Sequence, residues 1–388
     1  MSSKIIKKIS NEISDIIKKQ YGIKNNYHLY SPKFYKGTIE DLKKTIESTW
    51  VSTKGPQVEI FEKTIGKLVK SKNILATNSG TSALHLAFIA INASSNDEIL
   101  MPSLNFVASA NAVLYCRANP VFIDCNPKNL GISADEIDNF IKKKCRKVGK
   151  FYFNKKTKKK IKAVVAVHLY GAACDIVKIK KICNKYNIHL IEDAAECLGS
   201  KYNGKHLGTF GDFGVLSFNG NKVVTTGSGG AIITKKKSSF NIVKNYLNLN
   251  KSTSLDEEYK NIGYNYKMNA LCATLGMNQI KKLDYIVKKK YEIFLNYKKE
   301  FKNSEFIDMI DSGNCKESNN WLVCVQLKTK YQKFKKRILF NLNKDNIYSR
   351  SIWKPLHKLN HLKKFQKENL RITNKVFKKT FCLPSSLI

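Results

Sequence analysis

The chain has 388 residues, of which 43% are hydrophobic and 11% aromatic, so it is long enough for two domains with a large buried interior. No stretch approaches the roughly 18 uninterrupted apolar residues of a membrane span, and the N-terminus has no apolar run of signal-peptide length. The ten cysteines form neither CxxC pairs nor a Cys/His group of zinc spacing, which predicts reduced thiols, a cytoplasmic location and no metal site.

A formal charge of +39 could indicate a nucleic-acid-binding protein. Proteins that bind phosphates and bases usually use arginine, because its planar guanidinium can donate two hydrogen bonds to one partner. Here the basic residues are lysines spread from end to end without interleaved stacking aromatics, and the arginines are only Arg117, Arg146, Arg337, Arg350 and Arg371. We interpret the excess mainly as a lysine bias on solvated faces, which makes a nucleic-acid partner the disfavoured alternative.

In chain order, isoleucines recur at helical spacing from Ile5 to Ile17 and predict an N-terminal helical segment over residues 1–27. Short β-rich runs then alternate with helical stretches from about residue 73 to 234, which predicts an α/β domain with a mainly parallel sheet, assigned to 28–254. The predicted strands lie in KNILATN, EILMPSLNF, NPVFIDC, IKAVVAVHLYG, NIHLIEDAA and FGVLSF.

The remaining segments follow a different pattern. The lysine-rich stretch 142–162 is predicted to be a solvated hairpin that leads into a strand. Residues 267–301 predict one or two long helices. WLVCVQL and the amphipathic KFKKRILFNLNK complete a smaller α+β domain, assigned to 255–388.

Three candidate site features follow predicted strands, at the edge where open α/β sheets bind their ligands. NSGTSAL opens a helix, and its free N–H groups, Gly80 and the Thr81 hydroxyl suit a phosphate, although a plain turn and N-cap explains it equally well. IHLIEDAAE ends an apolar strand on Glu192 and Asp193, which either bind something cationic or cap the next helix. Lys222 lies in SFNGNKVVTTGSGG, where no other residue is charged.

Together these features fit one ligand, pyridoxal phosphate. Its phosphate needs a helix N-terminus, and its pyridinium nitrogen needs a carboxylate such as Asp193. Its aldehyde needs an amine such as Lys222 to form the Schiff base. Such an amine must be neutral to work, and a desolvated position beside a positive ring would lower its pKa from about 10.4. Phe106, after another strand end, could stack on the ring or be an ordinary core aromatic.

The sequence resembles the sugar aminotransferases of the DegT/DnrJ/EryC1/StrS family over nearly its whole length. The resemblance rests on several long stretches in the same order: WVSTKGPQVEIFE, NSGTSALHLAF, HLYGAACD, IEDAAECLGSKYNGKHLGTFGDFGVLSFNGNKVVTTGSGG, GYNYKMNALCATLGMNQIKKLD and SIWKPLH. It implies an aspartate-aminotransferase-like fold of the type I pyridoxal phosphate group. It also implies a homodimer with two shared active sites.

The same resemblance implies a role for each matching residue. Lys222 is the Schiff-base lysine and Asp193 the partner of the pyridine nitrogen. Gly80, Thr81 and Ser217 bind the phosphate, together with Asn265 from the second subunit. Phe106 stacks on the ring face. Glu196 lies near the phenolic oxygen, and the alternative is that it is an ordinary glutamate on a helix surface. His357 in KPLH is a candidate for sugar or diphosphate contact, against a structural role, and His168 in HLYG is interpreted as structural.

Further stretches, among them SNNWLVCVQL and LPSSLI, resemble the branch that makes legionaminic acid and bacillosamine precursors for surface polysaccharides such as lipopolysaccharide. There a nucleotide-linked 4-keto-6-deoxy-N-acetylglucosamine is aminated at C4 with L-glutamate. Ser228, where many members carry Glu or Gly, and Asn269, where Pro is frequent, leave the exact sugar open. The alternatives are a perosamine synthase acting on GDP-4-keto-6-deoxymannose, a C3 dehydratase that typically has His at the lysine position, and a non-catalytic basic binding or regulatory protein.

Overall fold

The computed structural model describes residues 2–252, 258–259, 261–313 and 316–387. Within these ranges its helices are α1 Ser2–Tyr21, α2 Thr38–Glu47, α3 Pro56–Val69, α4 Gly80–Ala90, α5 Val107–Tyr115, α6 Ala134–Lys144, α7 Ile176–Tyr186, α8 Lys237–Leu247, α9 Ala270–Lys281, α10 Leu283–Glu300, α11 Lys335–Lys344 and α12 Arg371–Lys379. Its strands are β1 Ile74–Thr77, β2 Asp97–Pro102, β3 Asn119–Ile123, β4 Cys145–Val148, β5 Phe151–Asn154, β6 Lys160–Val167, β7 His189–Asp193, β8 Lys201–Tyr202, β9 Lys205–His206, β10 Phe213–Ser217, β11 Gly230–Thr234, β12 Ile307–Met309, β13 Val323–Leu327, β14 Arg350–Ser351 and β15 Thr380–Leu383.

A mixed sheet forms the centre of the larger part of the chain, with strand order β1-β11-β10-β7-β6-β2-β3. The pairs β10–β7, β7–β6, β6–β2 and β2–β3 are parallel, whereas β11 is antiparallel to both β1 and β10. The residues of β1 and β2 are buried throughout, as expected when helices cover both faces of a sheet. The predicted, mainly parallel α/β domain and all six of its predicted strands are confirmed.

Two details of this sheet go beyond the sequence prediction. β11, formed by GAIIT, was not predicted, because the glycines before it were interpreted only as part of the Lys222 loop. The lysine-rich stretch does form the predicted hairpin, since β4 and β5 pair antiparallel and lead into β6. The predicted long helical stretch is two helices, α9 and α10, which meet at Lys282.

The smaller part of the chain is built on a second sheet, with order β12-β13-β15-β14. Its hydrophobic core includes residues from α10 and α11 and also from α1, whose Ile9, Ile13 and Ile17 are fully buried. The N-terminal helix thus packs with the C-terminal third of the chain. By contrast, α9 contacts α2 and α3 and contributes to the larger core.

These contacts bear on the domain boundaries at 27 and 254, which stay predictions. The two buried cores divide the chain differently, because α1 joins the second core and α9 joins the first. An amphipathic helix must cover apolar surface, and its sequence does not say which surface that is. None of the helices in the described ranges is long and apolar enough to cross a membrane.

Candidate active site

A cavity of about 340 Å³ lies where β7 and β10 end and α4 begins. Its position matches the rule that ligands of open α/β sheets bind beyond the carboxyl ends of the strands. Seven of the nine predicted site residues line it, namely Gly80, Thr81, Phe106, Asp193, Glu196, Ser217 and Lys222. The strand-end features that the sequence identified separately therefore meet in one place.

The N-terminus of α4 forms one wall of the cavity. Ser79 caps this helix, and its Oγ accepts a hydrogen bond from the Ser82 N–H at 3.0 Å. The preceding amides, at Gly80 and Thr81, lie in the first turn, where no intrahelical acceptor exists, so they and the helix dipole favour an anion. A Cβ at Gly80 would lie 3.1 Å from the Cβ of Ser217, so glycine allows the end of β10 to approach this closely.

Asp193 ends β7 and is 6% exposed. Its Oδ2 accepts a hydrogen bond from the Ser109 hydroxyl at 2.5 Å, and its Oδ1 accepts one from the Ala195 N–H at 3.2 Å. These two hydrogen bonds fix the orientation of the carboxyl group. Asp193 is therefore a positioned negative charge at the cavity wall.

Lys222 lies in the loop between β10 and β11. Its backbone N–H donates to the carbonyl of Asn219 at 2.9 Å, and the Trp321 indole N–H donates to the neighbouring Asn221 carbonyl at 2.7 Å. The Lys222 Nζ lies 4.0 Å from the centre of the Trp321 ring, and the side chain is 14% exposed. Burial lowers the pKa of Lys222 below its usual value, as an amine that must act in its neutral form requires.

Glu196 is the carboxylate nearest to this amine. Its Oε1 lies 3.7 Å from the Lys222 Nζ, and its Oε2 accepts a hydrogen bond from the Tyr170 N–H at 2.6 Å. Burial raises the pKa of Glu196, and the ammonium of Lys222 opposes that rise. The stretch around Lys222 has no other charged residue, but the tertiary fold places this carboxylate beside it.

Phe106 is 48% exposed, and its ring centre lies 4.9 Å from that of Trp353. An ordinary core aromatic would be buried, so the structure favours the alternative in which the ring faces a ligand site. Ring stacking itself stays a prediction.

Two predicted residues do not line the cavity of this single chain. Asn265 is exposed, and its carbonyl accepts a hydrogen bond from the Asn78 side chain at 3.2 Å. His357 is 9% exposed, and its Nδ1 lies 2.7 Å from the Ser103 Oγ. Burial lowers the pKa of His357 to about 4, so the ring is neutral at physiological pH. This geometry agrees with the structural alternative for His357, and its contact with a sugar stays a prediction.

His168 and Glu192 are fully buried and bonded to each other, with Nε2 and Oε2 3.1 Å apart. Glu192 also accepts hydrogen bonds from the backbone N–H groups of Gly208, Phe210 and Gly211. The structural interpretation of His168 agrees with these contacts, and Glu192 has a structural role as well. Of the two adjacent acids, only Asp193 faces the cavity.

The cavity is also lined by residues that the sequence prediction did not assign, and four with large polar or aromatic side chains are Asn105, Trp321, Arg350 and Trp353. Three of them come from the C-terminal third, far along the chain from the strand-end motifs. The one feature of the sequence that could have drawn attention to Trp321, Arg350 and Trp353 is that these residue types are rare, since the chain has three tryptophans and five arginines in 388 residues.

These residues fit pyridoxal phosphate. The N-terminus of α4 with Ser217 suits the phosphate, Asp193 suits a protonated pyridine nitrogen, and Lys222 is an amine of lowered pKa facing the same space. A metal is not required by this donor set, and no group of three metal-ligating side chains occurs in the described ranges.

A family model, the DegT/DnrJ/EryC1/StrS aminotransferase family, matches residues 33–387. The chain belongs to this family. It is accordingly an aminotransferase that uses pyridoxal phosphate, and the type I fold predicted for it is confirmed.

Relatives within the family differ in the product they are named for. The chain is 32% identical to the GDP-perosamine synthase of Vibrio cholerae, over 85% of this chain and 86% of that protein. It is 31% identical to the UDP-4-amino-4,6-dideoxy-N-acetyl-beta-L-altrosamine transaminase of Campylobacter jejuni, over 87% of this chain and 85% of that one. Among solved structures, Spr1654 of Streptococcus pneumoniae in its PLP form superposes with a TM-score of 0.83 at 21% identity, covering 93% of each chain.

Proposed function

We propose that the enzyme transfers the amino group of L-glutamate to C4 of a nucleotide-linked 4-keto-6-deoxy sugar. The observation that carries the proposal is the meeting of Lys222, Asp193 and Glu196 in one cavity that opens beside the N-terminus of α4. The names of the Vibrio cholerae and Campylobacter jejuni relatives support a nucleotide sugar as the acceptor.

When bound, pyridoxal phosphate supplies an aldehyde that exchanges amino groups and a ring that stabilises negative charge on carbon. Lys222 would hold the aldehyde, and its amine, once free, would carry the proton from the donor carbon that bears the amino group to the carbon of the coenzyme. Asp193, whose side chain Ser109 and Ala195 orient, would face the ring nitrogen and favour its protonated form. The N-terminus of α4 and Ser217 would hold the phosphate.

Glu196 is proposed to lie near the phenolic oxygen of the ring. Its Tyr170 hydrogen bond fixes the carboxylate, and its 3.7 Å distance from the Lys222 Nζ places it where it can stabilise a cationic amine between proton transfers. The face of Trp321, 4.0 Å from the same Nζ, offers a second place for that cation.

The acceptor that we favour is UDP-4-keto-6-deoxy-N-acetylglucosamine, as in legionaminic acid and bacillosamine biosynthesis for surface polysaccharides, with the enzyme in the cytoplasm. GDP-4-keto-6-deoxymannose is the second candidate, because a 32% identical relative is named for perosamine. A coupled assay with both keto sugars distinguishes the two. A higher kcat/KM for the GDP sugar would replace the first assignment with the second.

The proposed homodimer would complete the site through Asn265, which is exposed in the single chain. Large apolar side chains are also exposed nearby in the sequence and on α2, including Ile262 at 79% and Ile39 at 79%. A second copy of the chain would cover such side chains if they lie in the proposed dimer interface. Sedimentation should give a dimer, and Asn265→Ala should weaken coenzyme binding without changing the sedimentation coefficient.

Lys222→Ala is the direct test of the catalytic assignment. We expect turnover to be abolished, and borohydride treatment of the yellow wild-type enzyme to label this lysine covalently. Lys178→Ala is a matched control, because that lysine is exposed and pairs with Asp135 at 2.6 Å on the surface. Unchanged activity in Lys222→Ala would end the proposal.

A further inference from the structure

A lysine outside the active-site cavity lies fully buried in α10. The Nζ of Lys290 donates hydrogen bonds to the backbone carbonyl of Trp321, at 2.8 Å, and to that of Ser385. The same Nζ lies 4.9 Å from the centre of the Tyr30 ring. These two carbonyls and the ring face match the three N–H donors of an ammonium.

Burying this amine works against stability. Of the lysines in the described ranges, only Lys290 and Lys335 are buried. Lys290 has no carboxylate beside it among the described residues, and burial lowers its pKa well below that of a surface lysine. A hydrophobic side chain of similar volume would avoid the cost of burying a cation without an anionic partner. The groups that Lys290 holds in place therefore explain it better than its contribution to stability.

Both aromatic residues that this buried amine contacts also support the loop that carries Lys222. The indole N–H of Trp321 donates to the Asn221 carbonyl at 2.7 Å. The Tyr30 hydroxyl donates to the Val223 carbonyl at 3.3 Å, and burial raises the pKa of Tyr30, so the hydroxyl keeps the proton that it donates. The two hydrogen bonds hold the backbone immediately before and immediately after Lys222.

Trp321 has a second link to the catalytic amine. Its backbone N–H donates to Asn319 Oδ1 at 3.0 Å, and its carbonyl accepts the hydrogen bond from Lys290. The face of its ring, fixed in this way, lies 4.0 Å from the Lys222 Nζ. A shift of Trp321 would therefore move both the backbone next to Lys222 and the surface on which the amine lies.

We propose that Lys290 is a positioning residue for Lys222. By holding Tyr30 and Trp321, it keeps the Lys222 amine in the orientation from which the amine reaches the two carbons between which it carries a proton. This inference rests on the proposed function, because it assigns a support to the group that transfers the proton there. Misplacing a reacting group by about 1 Å can lower a rate by about 100-fold, so a support outside the cavity can affect catalysis.

The alternative is that Lys290 only anchors the C-terminal end of the chain through the Ser385 carbonyl. Ser385 has other anchors, however. Its N–H donates to the Leu29 carbonyl at 2.8 Å, and its hydroxyl accepts a hydrogen bond from the Val323 N–H at 2.9 Å. This end of the chain is therefore held at two points that do not involve Lys290.

The first test is a mutant cycle in the holoenzyme with Lys290→Met, which keeps the length of the side chain and removes its donors. We expect kcat to fall about tenfold, with KM for both substrates within about twofold of wild type, because Lys222 is misplaced. In the Tyr30→Phe/Trp321→Phe background, which lacks both hydrogen bonds to the loop, the same substitution should lower kcat less than about twofold. Lys288→Met is the matched control, because Lys288 is exposed on the same helix.

The second test uses the apoenzyme and needs no activity. The chain has three tryptophans, so isotope labelling of the indole nitrogens gives three signals in nuclear magnetic resonance, and Trp321→Phe identifies one of them. The indole N–H of Trp321 is bonded to the Asn221 carbonyl in a buried side chain, so its hydrogen exchange should be slow. Lys290→Met should speed this exchange at least about tenfold, whereas the signal of the exposed Trp50 should not change.

An unchanged exchange rate of the Trp321 indole in Lys290→Met would overturn the inference. So would a loss of kcat as large in the Tyr30→Phe/Trp321→Phe background as in the wild type, because Lys290 would then act through the C-terminal end of the chain. If Lys290→Met does not fold, the same comparisons on Lys290→Gln decide the question. The proposed function fails separately, if Lys222→Ala keeps its activity, and the indole measurement does not depend on that result.

Discussion

Replacing Glu196 with glutamine should lower the pKa of Lys222 in the coenzyme-free enzyme. The carboxylate Oε1 and the Nζ are 3.7 Å apart, and the two side chains are 6% and 14% exposed. Coulomb's law gives about 1 kcal/mol for that separation in water and about 4 kcal/mol at an effective dielectric constant of about 20. Removing this attraction takes away part of the stabilisation of the ammonium form, so the pKa of Lys222 should decrease.

The rate of coenzyme uptake reports this pKa, because only the neutral amine attacks the aldehyde. Stopped-flow absorbance of the apoenzyme mixed with pyridoxal phosphate, from neutral to alkaline pH, should give a midpoint at the pKa of Lys222. Removing the nearby anion favours the neutral amine, so Glu196→Gln should move the midpoint to lower pH. The glutamine carbonyl can still accept the Tyr170 N–H, which preserves the local fold.

Glu59→Gln is the control, since Glu59 pairs with Lys63 on the surface and does not line the cavity. Its midpoint should match that of the wild type. A midpoint that stays fixed or rises in Glu196→Gln would refute the electrostatic coupling between Glu196 and Lys222. It would mean that Glu196 carries no charge in the apoenzyme or that the side chains separate in solution.

Three other substitutions test the remaining parts of the site and the core. Gly80→Ala places a Cβ 3.1 Å from the Ser217 Cβ, and this crowding should raise the dissociation constant of the coenzyme about tenfold. An unaltered dissociation constant would argue against the close approach of the two residues. Asp193→Asn should lower kcat at least about 100-fold at saturating coenzyme, because the positioned charge is lost, and a kcat near wild type would exclude its role. Phe88→Ala removes a fully buried ring, so urea denaturation should show a loss of about 3–5 kcal/mol in the free energy of unfolding. A loss below about 1 kcal/mol would indicate that neighbouring side chains move into the space left by the ring.

The sequence alone predicted the site features that depend on neighbours along the chain. NSGTSAL predicted a helix N-terminus beside a strand, and α4 begins at Gly80 as expected. IHLIEDAAE predicted acids at a strand end, although it did not distinguish Asp193 at the cavity from the structural Glu192. The side chain that faces the ligand depends on the partner of each acid, which is remote in sequence.

Contacts between distant segments explain what the sequence prediction left out. The wall formed by Trp321, Arg350 and Trp353 comes from the smaller sheet and its loops, and no spacing relates these residues to Lys222. The same holds for α1, whose helical spacing was clear but whose packing against the second core was not. Long-range packing, rather than local propensity, decided both.

By itself the sequence determined the alternating α/β pattern, the strand end that carries Asp193, the loop that carries Lys222, and the family, because each of these is a local pattern of residues. Only the tertiary structure decided that Glu196 Oε1 lies 3.7 Å from Lys222 Nζ. It also decided that buried nitrogen donors of Asn105, Arg350 and Trp353 lie around the same cavity without a hydrogen-bond partner among the described residues. The physical reason is that charge and hydrogen bonding act over a few ångströms in space. Residues that are not neighbours along the chain come within that range only when the sheet and its helices are packed.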